Sequence, residues 1–180
     1  MRTRLTMLLA AAAVVALSGC GDNATTNTAG LAPRTDAQPS EQDRTWMATI
    51  HQGNLAEIEA GRLAEKKGSA DQVKSIGRML VDDHTQLDQK VTQTATQLGI
   101  KLPTGPTADQ SSQIKRLQDA KGKDFDKDFV TGMTKAHKEA ITATKKEISD
   151  GTSPAVVALA KTAEPSLQEH LKALKKAQGD

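Results

Sequence analysis

Residues 73–98, VKSIGRMLVDDHTQLDQKVTQTATQL, decide the fold of this chain. A stripe of mostly apolar residues runs through them at alternating steps of four and three: Val73, Gly77, Leu80, His84, Leu87, Val91, Thr94 and Leu98. This spacing keeps the stripe on the side of an α-helix that faces partner helices. The stretch therefore predicts a long helix from about Ser69 to Leu98, with His84 in the middle of its buried stripe.

Similar patterns predict three other long helices and one short helix. The long helices are expected at about Glu41–Lys67, Asp124–Ser149 and Ser153–Gln178, and the short one near Asp109–Ala120. The last long helix repeats the stripe at Val156, Ala160, Ala163, Leu167, His170, Leu174 and Ala177. Connections are short after the first and third long helices and longer after the second. The chain is therefore predicted to be all-α, an antiparallel four-helix bundle with a short extra helix between helices 2 and 3.

The N-terminus has the pattern of an export signal. Arg2 and Arg4 precede an apolar run over residues 7–17, and Leu17-Ser18-Gly19-Cys20 follows. The run is too short to anchor the chain across a bilayer, and its end resembles the lipobox of bacterial lipoproteins. Residues 1–19 are predicted to be a lipoprotein signal peptide, and the resemblance implies lipidation of Cys20. A cleavage that leaves a free thiol is the alternative.

Residues 20–40 are rich in Thr, Asn, Ala, Gly and Pro and lack apolar periodicity, which predicts a flexible tether before a domain at residues 41–180. The chain has 24 basic and 22 acidic residues, and without Arg2 and Arg4 the two numbers are equal. With no Tyr, one Trp and two Phe, few rings can stack on bases, so nucleic acid is not expected as a partner. The single cysteine excludes an intramolecular disulfide.

The four histidines form the most specific pattern in the predicted domain. Each long helix carries one, and the separations in the two helical hairpins are equal: His51, His84, His137 and His170. Residues equidistant from a connecting turn lie at the same height in an antiparallel pair, so we expect all four imidazoles in one layer. Met47 and Met133 precede two of the histidines by four residues and add thioether groups one turn away.

Several motifs in order resemble one bacterial family. They are residues 54–64 (NLAEIEAGRLA), residues 79–84 (MLVDDH), Asp124-Phe125-Asp126 with His137, and residues 165–171 (PSLQEHL). On them the chain is identified as a member of domain-of-unknown-function family 4142, over about residues 43–178. The resemblance implies a ferritin-like four-helix fold in secreted or outer-membrane proteins, without a settled activity.

The sequence departs from the ligand pattern of ferritin-like di-iron proteins. These proteins use a carboxylate from each of two helices and a Glu-x-x-His pair from each of the other two. Val81 and Leu167 stand three residues before His84 and His170, and neither side chain can bind iron. Glu57 can still supply a carboxylate from the first helix. Di-iron chemistry is therefore disfavoured, and no catalytic residues are predicted.

Three interpretations of the histidines remain open. They can form a structural polar layer, hydrogen-bonded to one another, to Asn54, to Thr94 or to water. They can bind copper or zinc, with imidazole as ligand and with thioether favouring Cu(I). A haem held by His, or by Met and His, is the third. Glu57, Asp83 and Glu169 are candidates for supporting the ligands rather than binding the metal.

The sequence thus favours a non-enzymatic, lipid-anchored envelope protein that binds or organises another envelope component. The alternative is a copper- or zinc-handling protein that uses the histidine layer. A membrane partner is expected through the anchor, and an envelope protein is the expected macromolecular partner. The predicted location is the periplasmic face of the outer membrane, because Gly21 and not Asp follows Cys20.

Overall fold

The computed structural model describes residues 38–179. Helices account for nearly all of this region, and no strand occurs within it. The five helices are α1 (Glu41–Lys67), α2 (Asp71–Leu98), α3 (Ala108–Asp119), α4 (Gly122–Asp150) and α5 (Pro154–Gln178). The all-α prediction is therefore confirmed for this region. The predicted signal peptide, Cys20 and most of the tether lie outside the described residues.

Local sequence explains where the helices begin. A capping box starts α1, in which the Ser40 side chain accepts from the Asp43 amide and the Asp43 carboxylate accepts from the Ser40 amide. Thr107 and Gln110 form the same box at the start of α3. α2 begins two residues later than predicted, because the amides of Ser69 and Ala70 donate to the carboxylate of Asp126 on α4.

The long helices pack in two neighbouring pairs. α1 packs against α2 and α4 against α5, while α1 also contacts α4 and α2 also contacts α5. In the first pair, contacts join His51 to Asp88 and Asn54 to His84, so α1 and α2 run in opposite directions. α3 lies against α1 and α4. Among the described helices, none is long and apolar enough to cross a membrane.

The core contains two apolar clusters. One contains Trp46, Met47 and Ile50 with the second half of α2 and the first half of α5. The other contains Phe125 and Phe129 with the first half of α2 and the ends of α1 and α5. Along the helices, five of the buried polar residues come between these clusters: Asn54, Glu57, His84, His137 and His170. A polar layer thus interrupts the core where the histidine pattern was expected.

The predicted stripe of α2 faces the core along its length: Leu87, Thr94 and Leu98 are half-buried, and its other five members are buried. Ala95 is buried, whereas Thr94 is half-buried. A straight α-helix has 3.6 residues per turn, so a strict alternation of four and three residues drifts away from the core over several turns. The drift moves the buried position from Thr94 to Ala95.

Candidate metal centre

The structure brings three of the four histidines together. Ring centroids lie 5.6 Å apart for His84 and His137, 5.2 Å for His84 and His170, and 5.3 Å for His137 and His170. One nitrogen from each ring lies within 4.8 Å of those of the other two. All three side chains are buried, with residue exposures of 0–2%. Three separate helices, α2, α4 and α5, therefore converge on one point.

The prediction that His51 joins this layer is wrong. His51 Nδ1 lies 2.7 Å from Asp88 Oδ1, and Nε2 lies 3.1 Å from the Pro103 carbonyl oxygen. The residue opposite His84 on α1 is Asn54. The turn between α1 and α2 is centred after Gly68. When the centre of a turn moves by one residue along the chain, the residue that lies opposite a given position moves by two. The two histidine pairs therefore have equal spacing in the sequence, but only the second pair, His137 and His170, is in contact.

Each of the three rings has one nitrogen fixed by an acceptor outside the cluster. His84 Nδ1 lies 2.9 Å from Asn54 Oδ1, and the Asn54 amide nitrogen donates to Asp88. His137 Nδ1 lies 2.9 Å from the Met133 carbonyl oxygen. His170 Nε2 lies 2.8 Å from Asp83 Oδ2. Since these oxygens accept protons, His84 Nε2, His137 Nε2 and His170 Nδ1 are left to face the cluster.

Glu57 from α1 completes the cluster. Its Oε2 lies 2.7 Å from His84 Nε2 and 3.4 Å from His137 Nε2, and the residue is only 4% exposed. Apart from this contact, neither Glu57 Oε2 nor His84 Nε2 has a hydrogen-bond partner among the described residues. Buried polar atoms usually make further hydrogen bonds, so this pair can still accept or bind another group. From the sequence, Glu57 was expected as a first-helix carboxylate or as a support for the ligands, and it lies beside two of the three imidazoles.

The electrostatics of the cluster do not favour several protons. Burial lowers the pKa of both His137 and His170 below the ordinary value. Burial would also raise the pKa of Glu57, but the neighbouring charges of His137 and His84 outweigh it and hold the pKa at about 2. Burial opposes charge on His84, yet Glu57 raises its pKa above the ordinary value. The cluster therefore contains a charged carboxylate that favours a proton on His84, while His137 and His170 favour their neutral forms.

The spacing of the three imidazole nitrogens is compatible with a metal ion. With metal–ligand distances of about 2.0–2.1 Å, the donor atoms of a tetrahedral site lie about 3.3 Å apart. The His137 Nε2 to His170 Nδ1 distance is 3.2 Å; Glu57 Oε2 lies 3.4 Å from His137 Nε2 and closer, at 2.7 Å, to His84 Nε2. The acceptors behind the three rings correspond to the outer hydrogen bonds that orient histidine ligands. The three imidazoles thus form a group that could hold a metal ion, and the Glu57 carboxylate lies beside two of them.

Methionine sulfur and haem fit less well. Met47 packs in the apolar cluster around Trp46, and Met133 packs with Phe129; what Met133 offers the histidines is its backbone carbonyl. A haem between two axial imidazoles requires a wide slot free of side chains. The third imidazole stands within 5.6 Å of both others and fills that space.

Asp83 and Glu169 differ from each other in the structure. Asp83 is directed across to α5, where it contacts His170, and its side chain is 44% exposed. It therefore supports a histidine of another helix rather than its own neighbour His84. Glu169 is exposed on α5.

Two cavities reach the cluster from opposite sides. One of about 250 Å³ lies between α1 and α4 and ends at Glu57 and His84. A smaller one of about 90 Å³ lies between α2 and α5, beside Asp83 and His170. A larger depression of about 590 Å³ near Ala70 and Gln178 contains none of the buried unpartnered atoms found in the described part of the chain.

The fold and site define an all-helical protein with a buried three-histidine, one-glutamate cluster. The family described as a domain of unknown function (DUF4142) matches residues 28–177, and the chain belongs to that family. This confirms the resemblance noted in the sequence. No curated protein and no solved structure was found to be similar.

Proposed function

We propose that this protein is a metal-binding protein whose site consists of His84, His137, His170 and Glu57. The observation that carries the proposal is the direction of the three rings. Each gives one nitrogen to an outer acceptor and turns the other toward the cluster, where those of His84 and His137 face Glu57 and that of His170 faces His137. In neutral imidazoles those inner atoms carry lone pairs, and lone pairs 3.2 Å apart repel unless a cation lies between them.

The donor set favours zinc over copper(I). Imidazole binds zinc and copper well, while a carboxylate oxygen is a harder ligand than a thioether. With Met47 and Met133 packed in apolar clusters, the argument for Cu(I) loses its support. Zn(II) commonly takes four nitrogen and oxygen ligands in a tetrahedral arrangement. We therefore propose Zn(II) first and Cu(II) second.

We also propose how the helices are arranged and where the protein is located. We propose that the four long helices form an antiparallel, ferritin-like four-helix bundle, supported by the opposed contacts of α1 and α2 and by the cluster between all four helices. Export, lipidation of Cys20, outer-membrane attachment and an envelope partner stay predictions from the sequence. The assignment as a non-enzymatic protein is likewise a proposal.

Calorimetric titration of the metal-free, full-length protein tests the metal proposal. We expect one Zn(II) per chain with a Kd of about 1 μM or tighter. His84→Ala should weaken binding by more than about 100-fold, and Asp83→Asn by about 10-fold because the His170 ring loses its acceptor.

His51→Ala is the matched control, because His51 is a buried histidine outside the cluster. It should bind Zn(II) as the wild type does. If His51→Ala and His84→Ala lose affinity equally, or if no ion binds tighter than about 10 μM, the cluster is a structural polar layer instead.

A further inference from the structure

The cavity between α1 and α4 has the features of a binding site. It encloses about 250 Å³. Its inner end is formed by Asn54, Glu57 and His84, and its apolar walls include Trp46, Ile50 and Leu167. An apolar cavity of about 150 Å³ is large enough for a benzene molecule, so this one has room for a substituted or fused ring.

Residues with small side chains, or none, create the space in this cavity. Ala136, Ala140 and Ala143 follow one another at helical spacing along the wall that α4 contributes. Gly53 lies opposite on α1, and a Cβ atom added there would have no heavy atom within 4 Å. Larger side chains at these positions would fill the gap between the helices. Instead the gap extends inward to the cluster.

The inner end offers unpartnered polar atoms. Apart from their contact with each other, Glu57 Oε2 and His84 Nε2 are buried without a hydrogen-bond partner among the described residues, and both residues line the cavity. An N–H group that entered the cavity would find the Glu57 oxygen as an acceptor. This observation is independent of the small residues, and it indicates where the polar end of a ligand lies.

We propose that this cavity binds a small, neutral, flat molecule with an apolar body and a nitrogen-containing head. The body lies between Ala140 and Gly53, and the head reaches Glu57. Anions are disfavoured by the Glu57 carboxylate and by exposed Glu139 at the outer end. Coordination of the head to an ion rests on the proposed metal function, whereas binding of the body and the hydrogen bond to Glu57 do not.

Benzimidazole is a suitable probe because it has a flat apolar body, one N–H donor and one ring nitrogen. We expect it to bind metal-free full-length protein with a Kd of about 1 mM or tighter by calorimetry. It should also shift the indole N–H resonance of Trp46, the single tryptophan, whose Nε1 donates to Thr144 Oγ1.

Two variants fill the cavity from opposite sides, Ala140→Phe from α4 and Gly53→Leu from α1. Each should weaken benzimidazole binding at least about tenfold while leaving Zn(II) affinity unchanged. Ala158→Phe, on the exposed face of α5, is the control and should bind the probe as the wild type does. Folding of each variant is checked by circular dichroism, and either folded variant is sufficient.

The outcomes separate this inference from the metal proposal. Binding by wild type and by Ala158→Phe but not by the filled variants supports the cavity, whether or not Zn(II) binds. Absence of probe binding to wild-type protein overturns it, even where Zn(II) binds as expected. Equal probe binding by a filled variant and the wild type also overturns it.

Discussion

Asp43 and Glu147 form a buried pair of carboxyl groups at the start of α1. Burial opposes the charge of Asp43, but hydrogen bonds from Ser40, Glu147, Ser153 and Thr152 outweigh it and hold the pKa of Asp43 well below its usual range. Glu147 is fully buried, and its Oε2 accepts from Gln42. Burial and the neighbouring Asp43 raise the pKa of Glu147 to about 7.

This pair predicts that stability falls as pH rises through about 7. Folded Glu147 holds its proton more tightly than the unfolded chain does, so its contribution is complete below its ordinary pKa of 4.5 and is lost through about 7. Thermal unfolding of metal-free protein between pH 5 and 8.5, about the range in which Glu147 ionises, measures the effect. The partner groups that face Glu147 are Asp43 on α1, Gln42 on α1 and Lys146 on its own helix.

The test is the difference between wild type and Glu147→Gln, which removes the contribution of every other ionisable group. The wild type should lose stability relative to Glu147→Gln as pH rises. Glu139→Gln, which removes an exposed carboxylate from the same helix, should follow the wild type at every pH. Parallel curves for wild type and Glu147→Gln would contradict the assignment.

Close backbone contact between α1 and α2 depends on two glycines. A Cβ atom on Gly61 would lie 2.7 Å from the Gly77 carbonyl oxygen, and one on Gly77 would lie 2.7 Å from the Gly61 carbonyl oxygen. This contact lies about one turn from Glu57 along α1 and helps set the register that places Asn54 opposite His84. A methyl group at either position must push the helices apart.

Gly77→Ala should therefore destabilise the protein by about 1–3 kcal/mol, although alanine is the better helix former. Gly53→Ala is the control on α1, where a Cβ atom meets nothing within 4 Å, and it should raise stability by about 0.5–1 kcal/mol. Urea unfolding measures both. A Gly77→Ala protein as stable as Gly53→Ala would rule out the close contact.

The residues directly before α2 are bound by another helix. Ala70, the N-cap residue of α2, has no side chain that can accept a hydrogen bond, while Asp126 of α4 accepts from the amides of Ser69 and Ala70. These hydrogen bonds tie the start of α2 to α4.

Asp126→Ala should destabilise the protein by about 1 kcal/mol, because two backbone amides lose their acceptor and one net hydrogen bond contributes about 0.5–1.5 kcal/mol. Asp128→Ala removes an exposed carboxylate from the same turn of α4 and should change stability by less than about 0.5 kcal/mol. Equal losses in the two variants, measured by urea unfolding, would show that Asp126 acts only through general charge effects.

At the scale of the whole molecule, apolar periodicity was enough to predict the helices. It gave α1 with the observed bounds and the other helices to within two residues, because the breaks at Pro103, Gly105 and Gly151 are explicit in the sequence. The contact of His137 with His170 was also predicted, although α4 ends 13 residues after His137 and α5 begins 16 residues before His170. Local sequence patterns were therefore enough to predict the helices and the histidine contact in one of the two helical hairpins.

The register of the other hairpin was not predictable in the same way. This register depends on a turn between α1 and α2 that is centred after Gly68. It also depends on the hydrogen bonds that Asp126, from a distant part of the chain, accepts from the residues before α2. For the same reason, the sequence did not predict the central position of Glu57 or the contact of Asp83 with His170. The spacing of Glu57 and Asn54, three residues apart on one face of α1, was the available signal.

The most direct test of the central claim is X-ray absorption spectroscopy of the Zn(II)-loaded protein. We expect four nitrogen or oxygen ligands at about 2.0–2.1 Å from the zinc ion, with the outer-shell scattering of three imidazoles. In Glu57→Gln the three-imidazole signal should persist while the carboxylate ligand is lost or replaced. A sulfur ligand at about 2.3 Å, or fewer than two imidazoles, would contradict the assignment of His84, His137, His170 and Glu57.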